Sequence, residues 1–500
     1  MSAPRTLRWT ALLSTLAFMA CVDSSALTAP TQSGTSIAAP VEGDGSLNVS
    51  TWPRAVIAEF QTELEATVVS RESVDQVEWH FADGSVARGS KVHHAFADEG
   101  VSVVVVRATT ASGKIVQKRM NIVVSPGISA LGTVLTGVVA GGLHTCAIDA
   151  AASLYCWGYN GNGTIGDGTR THRYSPTRIG TGINFTQVAT GIGHSCALTD
   201  TGAAYCWGKN ESGQLGDGTT TDRAVPTAVL GGLAFSSIDV GYTHSCALTS
   251  TGVAYCWGAD SLGQLGDGSP AVRQLQPVVV AGNNTFTVIR AGNTHTCALQ
   301  DVTGYAYCWG ANSTGQVGNG TGGNATDRVT TPVAVSGGNS FAQIDVGSSH
   351  TCALLTNQNA SNKMYCWGWN DNGQLGIATT ELCRGTVKCS RIPLKLPSNV
   401  KLISITAGST HTCGIISTGT AYCWGSNSNG QLGDGTTIDR AAPTAISTLQ
   451  FKSIRSGRNF TCGVLLDNTA RCWGYNYFGM LGVGDNLDRA TPAAVPNLTF

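Results

Sequence analysis

Seven copies of one pattern occupy nearly three quarters of this 500-residue chain, over residues 131–500. Each copy opens with His-Thr-Cys or His-Ser-Cys, or with Phe-Thr-Cys in the last copy, and each continues to a Cys-Trp-Gly triplet. The copies begin at His144, His194, His244, His295, His350, His411 and Phe460, with spacings of 50, 50, 51, 55, 61 and 49 residues. A period of this length predicts an array of similar units that bury their apolar faces against one another.

Each unit has the composition of short strands joined by tight turns. Gly accounts for 63 of the 500 residues, and charged residues make up only 12%, against about 25% in an average protein. In the segment Cys246–Cys256, apolar residues flank a polar Thr-Ser-Thr-Gly centre, which is typical of a β-hairpin. A Gly-rich unit of this size with about four strands matches a propeller blade. We therefore predict an all-β chain built around a seven-bladed β-propeller.

The two ends of the array suggest how the ring closes. The C-terminal segment 497–500 ends in Leu-Thr-Phe, which matches Leu449-Gln-Phe451 in the preceding unit. The segment that would follow it in the repeat stands near the start of the array, at Val138–Gly141. We predict that the C-terminal strand completes the blade begun by residues 134–157, which would remove exposed sheet edges.

The 17 cysteines divide into eight local pairs and one remainder, Cys21. Folding each repeat hairpin at its turn places the two cysteines opposite each other, at a separation that suits a disulfide. Reduced core thiols are the weaker alternative, and the spacing does not suit zinc. The predicted disulfides are Cys146–Cys156, Cys196–Cys206, Cys246–Cys256, Cys297–Cys308, Cys352–Cys366, Cys383–Cys389, Cys413–Cys423 and Cys462–Cys472.

With its Cys-Trp-Gly and Gly-Gln-Leu-Gly segments, the unit resembles the regulator of chromosome condensation repeat over residues 131–500. The resemblance implies a seven-bladed β-propeller. It also suggests guanine-nucleotide exchange as an alternative function, because this is the activity of the founding member of the family. The paired cysteines mark a variant suited to an oxidising compartment.

Residues 1–21 have the form of a signal peptide. Arg5 and Arg8 precede a short apolar run that ends before Cys21, which resembles the lipidated cysteine of a bacterial lipobox, although Phe18 stands where Leu is usual. Residues 22–45 are rich in Ser, Thr, Ala, Gly and Pro and predict a flexible linker. We expect an exported bacterial protein, either a cell-envelope lipoprotein at the outer membrane or surface, or a secreted protein.

Residues 46–125 carry a different pattern of alternating strands. The elements Trp-His-Phe-Ala-Asp-Gly at 79–84 and His-Ala-Phe at 94–96 resemble the polycystic-kidney-disease domain, which is immunoglobulin-like. The resemblance implies a small N-terminal β-sandwich that acts as a spacer or an adhesive unit.

Residues that recur once per repeat are expected to build the scaffold, since catalysis needs one asymmetric cluster. This applies to the histidines, to the aspartates Asp167, Asp217, Asp267 and Asp434, and to the arginines Arg173, Arg223, Arg273, Arg328, Arg391, Arg440 and Arg489. We expect these Asp and Arg residues to tie neighbouring loops together. The Asp-Gly loops lack the dense carboxylate set of a calcium site, so no metal or other cofactor is predicted.

Function is expected where the repeats differ. Blades 7 and 1 are neighbours in a closed ring, which would bring Tyr475, Tyr477 and Phe478 near Tyr159, while Trp369 stands in blade 5. These aromatic residues are candidate binding residues, with simple loop packing as the alternative. The second candidate is a basic loop between Cys383 and Cys389, carrying Arg384 and Lys388, which is predicted to project from blade 5.

A net charge of −1 argues against nucleic acid as a partner. We predict a monomeric, non-enzymatic binding scaffold that engages a protein or glycan at the cell surface and meets the membrane only through a lipid anchor. The alternatives are guanine-nucleotide exchange and an exported propeller enzyme such as a lyase or glycan hydrolase.

Overall fold

The computed structural model describes residues 45–52, 56–57, 61–70, 73–95, 100–125, 137–180, 182–356, 364–397 and 399–500. Every regular element in these ranges is a strand, and none of them contains a helix long and apolar enough to cross a membrane. The chain divides between Gly127 and Ile128 into two units. The predicted signal peptide 1–21, with Cys21, and the predicted linker up to residue 44 lie outside the described residues.

The N-terminal unit contains a three-stranded sheet, ordered β1-β3-β6, and a five-stranded sheet, ordered β2-β8-β7-β4-β5. Its buried residues include Trp79, whose Nε1–H donates to the Gly89 carbonyl at 2.9 Å. An immunoglobulin-like sandwich stays a prediction for this unit. The strands are β1 Gly45–Trp52, β2 Val56–Ile57, β3 Gln61–Ser70, β4 Val74–His80, β5 Val86–Arg88, β6 Lys91–Ala95, β7 Gly100–Thr110 and β8 Ile115–Ser125.

The second unit is the predicted seven-bladed propeller, and each of blades 1 to 4 is an antiparallel sheet of four consecutive strands. Blades 1 to 4 comprise β9 Gly137–Ala140, β10 His144–Ile148, β11 Leu154–Gly158 and β12 Arg173–Arg178; β13 Phe185–Thr190, β14 His194–Thr199, β15 Ala204–Gly208 and β16 Arg223–Ala228; β17 Ser237–Val240, β18 His244–Leu248, β19 Ala254–Ala259 and β20 Arg273–Val279; β21 Phe286–Ala291, β22 His295–Gln300, β23 Ala306–Ala311 and β24 Arg328–Ala334.

Blade 5 contains a short additional strand, and blades 6 and 7 share one continuous strand, β33, which pairs with β32 in blade 6 and with β34 in blade 7. The remaining strands are β25 Phe341–Val346, β26 His350–Leu355, β27 Met364–Trp369, β28 Leu382–Cys383 and β29 Val387–Lys395; β30 Leu402–Ala407, β31 His411–Ile416, β32 Thr420–Gly425 and β33 Arg440–Ser456; β34 Phe460–Leu465, β35 Thr469–Gly474 and β36 Arg489–Thr499.

The ring closes differently from the sequence prediction. The C-terminal strand β36 pairs with β35 and belongs to blade 7, while blade 1 builds all four of its strands from residues 137–178. The end of the strand nevertheless contacts blade 1: the Thr499 carbonyl accepts from the Ala150 N–H at 3.5 Å, and Val495, Leu498 and Phe500 pack in a cluster with Val138 and Ala147. The prediction was wrong because residues 137–140 already supply the first strand.

All eight predicted disulfides are present. In the seven repeats the two cysteines are directly opposed in register, as with Cys246 and Cys256, whose Cα atoms lie 4.1 Å apart. Each repeat disulfide closes a loop of about ten residues and is expected to contribute about 2–3 kcal/mol.

One backbone carbonyl per blade joins that blade to the next. The Gln214 carbonyl in blade 2 accepts the Trp257 Nε1–H at 3.0 Å and the Ser245 hydroxyl at 2.9 Å, both from blade 3. Ser245 and Trp257 flank the cysteines and oppose each other across β18 and β19. The hydroxyl contact recurs at all seven blade pairs and the indole contact at six of them.

The hydrophobic core is divided among the seven blade interfaces. Between blades 3 and 4, for example, the Cys246–Cys256 disulfide packs in one cluster with Leu265, Phe286 and Trp309. Equivalent clusters fill the other six interfaces, including the one between blades 7 and 1. Because no blade buries its apolar face alone, the blades stabilise one another.

A ring of glycines sets how closely the blades approach at the centre. A Cβ atom added to any of them would lie 2.1–2.6 Å from the carbonyl oxygen of the equivalent glycine in the next blade, and the last one meets the first, which closes the ring. Such distances are too short for any other residue. The glycines are Gly141, Gly191, Gly241, Gly292, Gly347, Gly408 and Gly457.

Replacing one of these glycines tests the close approach. In Gly241→Ala, the new methyl would lie 2.1 Å from the Gly292 oxygen, so we expect the free energy of unfolding to fall by about 1–3 kcal/mol or more. Urea denaturation measures it, with Gly180→Ala as the control, since nothing lies within 4 Å of a Cβ there. Equal stability of the two variants would contradict the packing at the ring.

Six buried histidines add a second contact across the blade interfaces. Each Nε2 lies 2.6–3.0 Å from the Ser or Thr hydroxyl of the next blade. That hydroxyl already donates its hydrogen to a carbonyl, so the histidine is the donor and carries its proton on Nε2. Burial lowers the pKa to about 3 for His144, His194, His295 and His411, and to about 4 for His244 and His350. In blade 7, the buried Phe460 takes this position.

These histidines should make the propeller sensitive to acid. Their pKa is near 6.5 in the unfolded chain and far lower in the folded one, so their stabilisation is complete above pH 6.5 and is lost as the pH falls below it. Between pH 7 and pH 5, we expect the free energy of unfolding of His244→Gln to fall by about 2 kcal/mol less than that of the wild type. Urea unfolding at both pH values measures this, and parallel losses in the two proteins would contradict the assignment.

Candidate functional site

The structure brings together the aromatic residues that the sequence predicted at the junction of blades 7 and 1. Tyr159 and Phe478 have ring centroids 5.0 Å apart, Tyr477 and Phe478 4.9 Å, and Tyr475 and Tyr477 6.4 Å. The last two rings are stacked, whereas the other pairs are edge-to-face. With His172, these four residues form what we call the junction cluster.

Local geometry places the cluster on one face of the ring. Tyr159 and Tyr475 directly follow the Cys-Trp-Gly triplet, and their N–H groups donate to the carbonyls of Leu143 and Asn459, both at 2.9 Å. The same backbone bond holds the residue after Cys-Trp-Gly in every blade. The seven residues at this position therefore share one face, and only blades 7 and 1 place two tyrosines side by side.

His172 is a member of the cluster that the sequence analysis missed. Its ring lies 5.0 Å from that of Tyr159 and 5.1 Å from that of Phe478, and its Nδ1 accepts the Asn160 N–H at 3.0 Å. In blades 2, 6 and 7, an aspartate carboxylate accepts the equivalent N–H. A histidine in place of the repeated aspartate is the sequence signal that could have singled out His172.

The cluster presents accessible aromatic surface. Tyr477 is 60% exposed, and Tyr159, His172, Tyr475 and Phe478 are half-buried. Burial, reinforced by Asp488 and Tyr477, raises the pKa of the Tyr475 phenol, which is therefore neutral at pH 7. Rigid, neutral aromatic rings supply contact area at low entropic cost and suit a protein interface.

Trp369 is not part of the junction cluster. It holds the same ring position in blade 5, where its Nε1–H donates to Asp371 Oδ2 at 2.8 Å. The other oxygen of that carboxylate accepts the Lys388 N–H at 2.8 Å. The Trp369 side chain and the Lys388 main chain therefore meet at Asp371 on blade 5, away from the junction cluster.

The loop between Cys383 and Cys389 lies against blade 4. The Arg384 N–H donates to the Gly323 carbonyl at 2.6 Å, and the Arg384 guanidinium donates to the Ser313 hydroxyl. The prediction of a loop projecting from blade 5 was wrong, because these contacts anchor it to the neighbouring blade. Arg384 and Lys388 are nevertheless both exposed.

Asp–Arg pairs are present in three of the four Asp-Gly loops, but each pair lies within a single loop, so the prediction that these residues tie neighbouring loops together was wrong for them. Asp167, Asp217 and Asp434 pair with Arg173, Arg223 and Arg440 of the same loop, at 2.5–2.7 Å. Blade 3 departs from this pattern, because Asp267 accepts from Gln274 and Arg273 donates to the Glu211 carbonyl of blade 2.

The first strand of each of blades 3, 4, 5 and 7 carries a charged residue, and the sequence analysis did not find this asymmetric set of charges. At the position two residues before the ring glycines stand Asp239, Arg290, Asp345 and Arg455, whereas blades 1, 2 and 6 carry neutral residues. Arg290 lies 3.8 Å from Asp345, and each aspartate accepts a backbone N–H from the next blade at 2.7–2.8 Å. The charge pattern appears only when the seven repeats are aligned on the ring glycine.

The protein environment shifts the pKa values of Asp239 and Arg455. Burial raises the pKa of Asp239 to about 6, although Arg290 opposes the shift, and burial lowers the pKa of Arg455. Across the described residues of both units, no group of three or more His, Cys, Asp or Glu side chains is arranged to hold a metal ion.

Two relatives match about a third of this chain. The ultraviolet-B receptor UVR8 of Arabidopsis thaliana is 30% identical over 173 residues, which are 34% of this chain and 36% of that protein. Protein pim1 of Schizosaccharomyces pombe is 31% identical over 189 residues, or 36% of this chain and 34% of that protein. The match thus spans about a third of each relative.

A solved structure supports the fold over a longer stretch. Prp20p of Saccharomyces cerevisiae superposes with a TM-score of 0.59 at 24% identity, and the match covers 66% of this chain and 82% of that one. A likeness at this identity supports the propeller fold alone.

The family match covers most of the propeller. Residues 114–462 match the RCC1-like domain, and residues 451–479 match the regulator of chromosome condensation (RCC1) repeat. The first of these matches alone takes in well over half of the 500 residues. Together with the seven blades, it shows that this chain belongs to the RCC1-like domain family.

Proposed function

We propose that this chain is an exported, non-enzymatic scaffold that binds a protein partner through the junction cluster. The observation that carries the proposal is the meeting of Tyr159, Tyr475, Tyr477 and Phe478 at one blade junction, with Tyr477 60% exposed. Interfaces concentrate their binding energy in such aromatic residues. A glycan that stacks on the same rings is the competing ligand.

Protein binding also agrees with the use of this fold in a relative. The solved structure of Prp20p is described with its binding to Gsp1p and histones. We transfer only the general role of a protein-binding propeller, because one fold carries many functions. Guanine-nucleotide exchange rests on family membership alone and is not favoured by a particular contact in this chain.

The case for export rests on cysteine chemistry and on the leader. Sixteen cysteines are paired in eight disulfides, and disulfides persist mainly in oxidising compartments. Cys21, the cysteine that remains, follows a segment of signal-peptide form. We propose lipidation at Cys21 in the bacterial cell envelope, with simple secretion as the alternative, and a spacer role for the N-terminal unit.

Mass spectrometry of the mature protein tests export. We expect a chain that begins at lipid-modified Cys21 and whose 16 other cysteines react with an alkylating reagent only after reduction. A non-reduced peptide map should recover each predicted pair. An uncleaved chain with free thiols would contradict export and would direct the search for a partner to the cytoplasm.

Site-specific photo-crosslinking in producing cells tests the junction cluster. A photoreactive residue at position 477 should form a covalent adduct with one partner protein, whereas the same residue at position 369 should not. Trp369 is the matched control because it is an aromatic residue at the ring position of Tyr475, but in blade 5. Once the partner is purified, we expect Tyr477→Ala to weaken binding at least about tenfold and Trp369→Ala to leave it unchanged.

Three results would count against this proposal. They are equal crosslinking at both positions, unchanged affinity of Tyr477→Ala, and an adduct at position 477 that consists of glycan alone. Thermal unfolding of each variant shows whether a loss of binding reflects a loss of fold.

A further inference from the structure

The first strands of the seven blades line the central channel of the propeller. Each first strand contacts the first strands of both neighbouring blades around the axis. Along β17, Ile238 and Val240 are buried, whereas the alternate residues Ser237 and Asp239 are half-buried. Successive side chains point to opposite faces of a strand, and the buried face packs in the core between the blades. The other face therefore lines the channel.

One level of this channel, two residues before the ring glycines, carries two carboxylates and two guanidinium groups. The charged residues occupy blades 3, 4, 5 and 7, and the other three blades place neutral residues there. The formal charges therefore cancel over the whole ring. In chain order, the seven residues are Val139, Ala189, Asp239, Arg290, Asp345, Thr406 and Arg455.

Main-chain hydrogen bonds hold the two carboxylates in place. Asp239 Oδ2 accepts the Ala291 N–H of the next blade at 2.8 Å. Asp345 Oδ2 likewise accepts the Ala407 N–H at 2.7 Å. Arg290 lies between them, since its Nε is 3.8 Å from Asp345 Oδ1 and its charge also acts on Asp239. One cation therefore serves two carboxylates on this side of the channel, which leaves a negative charge in excess there.

Arg455 is a cation without an ion-pair partner. It is exposed, and its Nη1 donates to the carbonyl of the preceding residue, Ile454, at 3.3 Å. Within the described residues, its guanidinium forms no salt bridge and no second hydrogen bond. A guanidinium group carries five N–H donors in a planar fork, so most of the donors of Arg455 remain available to a ligand.

The charges of blades 3 to 5 reach Arg455 across the channel, because blade 7 lies opposite blades 3 and 4 in a ring of seven. Burial and then Arg290 lower the pKa of Arg455, while Asp345 and Asp239 act in the opposite direction. Arg455 is thus within range of all three charges, yet it contacts none of them. The space between them is open, since the side chains of Arg290 and Asp345 are 40% and 23% exposed although their strands lie at the centre of the ring.

We propose that this level of the channel binds a free α-amino acid in its zwitterionic form. The ligand carboxylate accepts N–H groups of Arg455 and Arg290, whose planar forks match carboxylate geometry. The ligand ammonium group donates to the carboxylates of Asp345 and Asp239. The site lies inside the ring and shares no residue with the junction cluster, so it is independent of the proposed protein-binding function.

The spacing of the charges favours an α-amino acid over a ligand with a single charge. Arg290 and Asp345 present both signs 3.8 Å apart, which suits a ligand whose two charged groups share one carbon atom. A bare carboxylate would be attracted by two guanidinium groups and repelled by two carboxylates, and an amine would meet the reverse. A zwitterion places each of its charges against the opposite ones.

Calorimetric titration of the full chain at pH 7.5 tests the site with three probes of similar size. L-Alanine carries both charged groups, propionate lacks the ammonium group and ethylamine lacks the carboxylate. We expect one L-alanine to bind per chain, at least about tenfold more tightly than either probe with a single charge. At this pH Asp239 is ionised, because burial, opposed by Arg290, raises its pKa only to about 6.

Two substitutions locate the ligand within the channel. Arg455→Gln and Asp345→Asn should each weaken the binding of L-alanine at least about tenfold. Both variants should fold, because Thr406 shows that this level accommodates a neutral side chain, and asparagine retains an acceptor for the Ala407 N–H. Arg458→Gln is the matched control. It removes an exposed arginine of the same blade that lies beyond the ring glycine, and it should bind L-alanine as the wild type does.

The proposal is overturned if L-alanine does not bind, or if it binds to Arg455→Gln as tightly as to the wild type. Equal affinities for propionate and L-alanine would also overturn it, since the channel would then be a site for anions alone. Thermal unfolding of each variant separates a loss of binding from a loss of fold.

Discussion

The Gln214 carbonyl and its equivalents hold this ring together, because all seven accept a hydroxyl hydrogen bond from the next blade and six of them also accept an indole N–H. The donors, a hydroxyl and an indole N–H, flank the disulfide of that blade and are fixed by its register. The disulfide of each blade packs against the tryptophan of the following one, as Cys246 and Cys256 do against Trp309. The repeated His-Thr/Ser-Cys, Cys-Trp-Gly and Gly-Gln-Leu-Gly segments are therefore parts of a single contact between blades, which explains why they recur together.

The interface tolerates the loss of the buried histidine at one junction. Between blades 7 and 1, Phe460 replaces the histidine and packs in an apolar cluster with Val138 and Ala147, while Met480 still supplies the acceptor carbonyl to Thr145 and Trp157. The same junction carries the aromatic residues of the proposed binding site. The closing junction of the ring thus differs from the rest both inside and on its surface, while its main-chain bonds remain those of the repeat.

The parts of the structure that depend on the repeat could be predicted, and the parts that depend on a one-residue shift could not. The pairing of Cys246 with Cys256 follows from a hairpin that folds at its centre, and insertions at the turn leave it unchanged. Arg273 has the sequence spacing of Arg223, yet the strand register is shifted by one residue, so that Gln274 pairs with Gly258 and lies against Asp267. The C-terminal strand was misassigned for a similar reason, since a matching segment does not reveal with which strand it pairs. His172 and the charges at Asp239 and Arg455 stand out only when the seven repeats are aligned with one another.

Repetition in this chain offers an internal comparison at each position, and departures from it are costly unless something offsets them. In blade 3, Asp260 replaces the loop asparagine that the other six blades carry, such as Asn210, which removes donors from a buried set of acceptors, and the displacement of Arg273 removes the charge that would offset this change. Where blade 4 displaces its arginine, it also gives up the aspartate, so the loop remains neutral. Blade 3 keeps both carboxylates, Asp260 and Asp267. A side-chain hydrogen bond joins these two carboxyl groups, and burial, opposed by the Leu265 N–H and reinforced by Asp267, raises the pKa of Asp260 to about 7, so a proton held between them offsets part of the cost.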